Sequence, residues 1–106
     1  MNSIKSELGQ YLRELRKERE DTLHQVSKKT DIDSPMLSKI ERGERLPTVE
    51  QLKRLAKFYK VSEASLKVKH TAEKILKEYG ANENTYEAIQ LVNEQLTIYA
   101  KKLKDK

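Results

Sequence analysis

A chain of 106 residues, 36% hydrophobic and 37% charged, has room for one thin core or a small domain with an appendage, and none for a large active-site cleft. The absence of cysteine excludes a disulfide scaffold and thiolate metal sites, and the polar start Met1-Asn2-Ser3-Ile4-Lys5 lacks the apolar stretch of a signal peptide or membrane span, so the cytoplasm is the expected compartment. The formal charge of +5 favours polyanionic partners and is concentrated early: residues 1–60 carry 14 Lys and Arg against 10 Asp and Glu, residues 61–106 only 8 against 7.

Three Gly and two Pro leave few breaks in a chain dominated by straight-chain helix formers, which predicts an all-α fold. Leu8, Tyr11, Leu12 and Leu15 recur at helical spacing, placing a first helix from about Lys5 to Arg19. Thr22 with Gln25 forms a capping-box pattern ahead of Val26 and starts a short second helix reaching about Thr30. Asp33 is a good N-cap for a third helix that starts at Ser34-Pro35 and ends at Gly43. Leu37 and Ile40 turn its apolar side inward, with Met36 at the core edge, leaving Ser34, Pro35, Ser38, Lys39 and Arg42 outward.

After the loop Glu44-Arg45-Leu46-Pro47, Thr48 and Gln51 repeat the capping box and lead into Leu52, Leu55, Ala56 and Phe58 or Tyr59, a fourth helix. Val61-Ser62 breaks and recaps the chain, and Leu66, Ala72, Ile75, Leu76 and Tyr79 predict a long fifth helix, with a possible kink near Val68, that stops at Gly80. From about Asn84, Ile89, Val92, Leu96, Tyr99 and Leu103 alternate steps of three and four, a coiled-coil-like seam of about two heptads that is too short to stand alone. Residues 67–106 are therefore expected to form a helical hairpin bent at Gly80-Ala81-Asn82 and appended to a five-helix head at residues 1–66.

Two short helices joined by a tight turn, the second exposing Ser, Lys and Arg, suit insertion of a helix end into a DNA major groove. The run Leu37-Ser38-Lys39-Ile40-Glu41-Arg42-Gly43-Glu44-Arg45, followed by Pro47, resembles the signature of the phage-repressor or Cro-type (Xre) helix-turn-helix regulators. The resemblance extends over about residues 7–66, through Leu12-Arg13-Glu14-Leu15-Arg16, Thr22 to Ser27 and Leu55 to Ser62, and implies a lambda-repressor-like head that binds double-stranded DNA. It further implies that Arg16 pairs with Glu41 structurally, that Ser34, Pro35, Ser38 and Lys39 lie nearest base edges, and that Arg42 and Arg45 grip phosphate. At the entry to the second helix, Asp21, Thr22 and Leu23 depart from the family's apolar, hydroxyl and Gln pattern. Leu23 is expected to replace the missing apolar contact and Thr22, or a backbone N–H, to reach phosphate. The stretch from Ile32 to Lys39 with the Glu-Arg-Gly-Glu-Arg that follows also resembles controllers of restriction-modification systems.

Chemistry points elsewhere than catalysis. His24 and His70 form no metal-ligand spacing, Ser27, Ser34 and Ser38 have no base and orienting acid at hand, and Gly9, Gly43 and Gly80 make no phosphate-cradling loop. No enzyme, cofactor, metal or small-molecule effector is expected. The expected assembly is a homodimer joined through Tyr86, Ile89, Val92, Leu96, Tyr99 and Leu103 and reading two half-sites through the third helix, although the seam could instead pack on the fifth helix, and Tyr79, Tyr86 and Tyr99 suit core or interface equally. The alternatives are an antitoxin that uses the remaining surface to hold a toxin, and a head reduced to protein–protein interaction.

Overall fold

In the computed structural model, which describes residues 6–104, each helix begins where a side chain can satisfy its first free N–H groups. α1 (Glu7–Glu18) starts at Ser6, whose Oγ accepts from Gly9 N at 2.8 Å; Lys5, the expected start, lies outside the described residues. α2 (Leu23–Thr30) and α4 (Val49–Tyr59) both open with complete capping boxes, Thr22 with Gln25 and Thr48 with Gln51. α3 (Ser34–Glu41) is capped by Asp33, which accepts from Met36 N at 2.8 Å. It stops two residues earlier than expected, at Glu41, and Gly43 takes the left-handed conformation (φ +76°) that reverses the chain there.

α5 (Glu63–Tyr79) passes through Val68 without interruption, and α6 (Glu83–Lys104) follows. The described residues contain six helices and no strand, an all-α fold with a C-terminal helical extension. Residues to Lys74 form one compact unit and residues from Ile75 another, the division falling within α5.

The core of the first unit is drawn from all five helices: Leu8 and Leu12 of α1, Val26 of α2, Leu37 and Ile40 of α3, Leu52, Leu55, Ala56 and Tyr59 of α4, and Leu66 of α5, joined by Ile32 from the turn between α2 and α3. At about 1.5–3 kcal/mol for each large side chain buried, these contacts fix α3 far more strongly than its eight residues could by helix propensity. Polar contacts hold α5 on α1: Ser6 Oγ donates to Glu73 Oε1, and Lys69 reaches both Glu7 Oε1 at 2.9 Å and the Tyr11 ring at 5.0 Å.

Gly9 sets how closely α1 and α3 approach. A Cβ there would lie 2.4 Å from Ile40 O and 2.6 Å from Glu41 O, both backbone atoms. Gly9→Ala gains roughly 1 kcal/mol of helix propensity, but forcing two helices apart costs about 1–3 kcal/mol or more. The steric cost should win, and a lowered midpoint in urea denaturation checks this; a raised midpoint would show that the two helices can separate freely.

Candidate nucleic-acid interface

Leu37 and Ile40 are buried at 3% and 1% exposure and anchor one side of α3. Its other side is thereby turned to solvent: Pro35 and Lys39 are exposed, Ser34 and Ser38 half-buried, and Arg42 and Arg45 exposed just beyond the helix. Ser34, Ser38 and Lys39 offer hydroxyl and ammonium donors on α3, and Arg42 and Arg45 add positive charge just after it.

Arg42 is already engaged. Its Nε donates to Glu44 Oε2 at 2.6 Å, Nη2 donates to Oε1 at 3.3 Å, and Nη1 donates to Ser38 Oγ. The hydrogen bond from Arg42 holds the Glu44 carboxyl below its ordinary range, and the same bond raises the guanidinium. Sequence reasoning overlooked Glu44; the available signal was its place two residues after Arg42, across the turn at Gly43.

Thr22 is exposed and its hydroxyl oxygen accepts from Gln25 N at 3.1 Å, leaving the hydroxyl proton available. Leu23 is half-buried against the core. Asp21, where an apolar residue was expected, is held instead by Arg19 Nε at 2.9 Å, and its carbonyl accepts from Arg16 Nη1 at 3.1 Å.

Behind the surface, Arg16 of α1 meets Glu41, the last residue of α3, in a two-pronged pair: Nε to Oε2 at 2.8 Å and Nη2 to Oε1 at 2.9 Å. The side chains are only 15% and 8% exposed, so the pair lies in a partly dry setting where hydrogen bonding to an ion is strongest. The bond from Glu41 raises the Arg16 pKa. Tyr59 packs into the adjoining core, and burial, assisted by the Glu41 charge, pushes its phenol well above the ordinary value. Because the unfolded chain ionises this tyrosine first, its contribution is complete below pH about 10 and declines as pH rises past that point. Tyr59→Phe should therefore lose less stability than the parent between pH 8 and 11, measured as the change in urea midpoint; equal losses would place the alkaline sensitivity elsewhere.

Another anchor escaped the sequence. His70 of α5 meets Pro47 O at 2.8 Å, fixing the far end of the loop that carries Arg45. No group of His, Asp and Glu able to hold a metal occurs among the described residues, and no described helix is long and apolar enough to cross a membrane.

In the second unit, Tyr86, Ile89, Val92, Leu96, Tyr99 and Leu103 stand exposed on α6, at 41–65%. Thr85 is its one fully buried residue among those described. The unit thus has no apolar core within a single chain.

A family model described as "Helix-turn-helix" matches residues 12–66. No curated protein matches. Among solved structures, the crystal structure of the clp gene regulator ClgR from Corynebacterium glutamicum is similar in fold, with a TM-score of 0.55 at 21% identity over 89% of this chain and 86% of that one.

Proposed function

Starting from a chain that belongs to the Cro/C1-type helix-turn-helix family of DNA-binding transcription regulators, we propose a homodimeric regulator that reads a two-half-site operator through α3 in the major groove. The observation that carries this reading is the rigid presentation of Ser34, Pro35, Ser38 and Lys39 on the solvent side of a helix whose other side is locked by Leu37 and Ile40. Lys39 and the two serines supply donors for base edges, Pro35 an apolar contact, and Arg42, Arg45 and Thr22 contacts to phosphate. So few base contacts per head make two heads necessary for specificity. The head is assigned to residues 1–66 and the dimerising extension to 67–106. Tyr86, Ile89, Val92, Leu96, Tyr99 and Leu103 form the dimer seam.

The resemblance to restriction-modification controllers makes the gene's own upstream region the first duplex to test. Titration against a shuffled duplex at several salt concentrations should show tight, salt-sensitive binding to the first and weak binding to the second. Equal, weak binding to both would point to an operator elsewhere, a missing partner, or a head reduced to protein interaction.

On the preferred duplex, Arg42→Ala should weaken binding to every sequence, whereas Lys39→Ala should relax preference at one base position at a cost of roughly 1–3 kcal/mol there. Glu44→Gln should act in the opposite direction, because it weakens the hold on Arg42 to neutral hydrogen bonds and removes a negative charge beside the phosphates. Several-fold tighter, sequence-independent binding is expected. Equal losses from the Arg42 and Lys39 variants would sink the division of roles.

A further inference from the structure

We propose that α6 pairs antiparallel with α6 of a second copy, the partner's Tyr99 and Leu103 closing over a groove at the start of the helix. The proposal rests on the dimer seam described above and adds its direction and register.

Charge is divided sharply along α6. From Glu83 to Glu94 it carries Glu83, Glu87 and Glu94 and no Lys or Arg; from Gln95 to Lys104 it carries Lys101, Lys102 and Lys104 and no Asp or Glu. Parallel pairing would set like ends side by side, whereas antiparallel pairing sets each acidic end beside a basic one and opposes the helix dipoles. Apart from Lys102 beside the seam, these side chains lie on the side of α6 away from it, so they act as a weak bias on direction and not on strength.

The seam also has the register that antiparallel pairing needs. A two-fold axis passing near Glu94 matches Val92 with the partner's Leu96, Ile89 with the partner's Tyr99, and Thr85 with the partner's Leu103, so that each layer combines one a and one d position. At the Thr85 end lies an open apolar groove of about 560 Å³ lined by Leu76, Ala81, Thr85, Tyr86 and Ile89. Asn82 shapes it by accepting from Thr85 N at 2.9 Å and donating to Tyr79 O at 3.0 Å, which holds the turn after Gly80. The partner's two C-terminal apolar side chains arrive at this groove, which explains why apolar surface is left open beside the acidic helix start. Leu91 and Ile98 form a separate stripe that this pairing leaves in solvent.

The chain has no cysteine, so Asn93→Cys and Ala100→Cys, made separately in the full chain, each accept one spin label. Both positions flank the seam on the same side, seven residues apart. Antiparallel pairing predicts that the Asn93 labels differ along the axis by about 3 Å and the Ala100 labels by about 18 Å, from 1.5 Å of rise per residue. A short interlabel distance for the first and a clearly longer one for the second is the expected result. Equal distances would mean parallel pairing and overturn the proposal while sparing the dimer. Absence of dipolar coupling together with a one-chain mass in sedimentation would overturn both, and a two-chain mass with Asn93 labels out of range would place the interface elsewhere.

Discussion

Glu41→Ala should cost about 2–3 kcal/mol, because it strands a guanidinium that is only 15% exposed after removing both of the carboxylate oxygens it donates to. In a head of this size that lowers the thermal midpoint by about 10 °C or more. The pair itself is a different matter, since the cost of drying two charges offsets most of their attraction. Replacing both partners with apolar residues of similar volume, Arg16→Met with Glu41→Leu, should therefore cost only about 1 kcal/mol, chiefly the lost bond from Arg16 Nη1 to Asp21 O. Thermal denaturation of the single and double variants separates the two effects. A double variant as unstable as Glu41→Ala would show that the ion pair contributes net stability, and that α1 and α3 depend on it for more than geometry.

The helix starts were legible because they are local. Thr22 with Gln25 and Thr48 with Gln51 place a hydroxyl and an amide three residues apart, where the backbone geometry of a helix start brings them together whatever the tertiary context. Asp33 before Ser34-Pro35 is likewise a complete signal within four residues. The inward stripes were legible for the same reason, and Leu8, Leu12, Val26, Leu37, Ile40, Leu52, Leu55 and Leu66 are all buried. Helix ends were read less well. α3 stops at Glu41, two residues before the glycine that marks its end, since Gly43 serves the reversal that follows and lies outside the helix.

What the sequence could not show depends on contacts between distant segments. Gly9 is unremarkable as a residue in a helical stretch, and its role exists only because the last turn of α3 lies against it. Ser6 with Glu73 and Lys69 with Glu7 join residues more than sixty positions apart, so nothing local announces that α5 is fastened to α1. Arg42 was readable as a cation on the outer surface, but its engagement by Glu44 and Ser38 requires the chain to turn at Gly43. The substitution of Asp21 for an apolar residue is also resolved only in three dimensions, where Arg16 and Arg19 both reach it and Leu23 supplies the buried contact.

The other large effect is expected from Leu96→Lys. Every buried apolar side chain of the described chain lies between Leu8 and Leu66, so a charge at position 96 leaves the head's core untouched and its thermal unfolding unchanged. In the proposed dimer Leu96 faces the partner's Val92 on both sides of the two-fold axis, and two ammonium groups would be forced into the centre of the seam. Subunit association should fall at least 100-fold, and with it the gain from tethering two heads, which is worth about 10²–10⁴ in affinity when both half-sites are reachable. A two-half-site duplex should therefore lose about that factor in binding, while a duplex with one half-site should be bound as before. Ile98→Lys, placed on the stripe outside the seam, should change neither by more than a few-fold. Sedimentation and fluorescence titration on the two duplexes read these outcomes directly. If Leu96→Lys remains dimeric, the seam lies elsewhere; if it becomes monomeric without losing the two-half-site advantage, the two heads are brought together by the DNA and the extension serves another purpose.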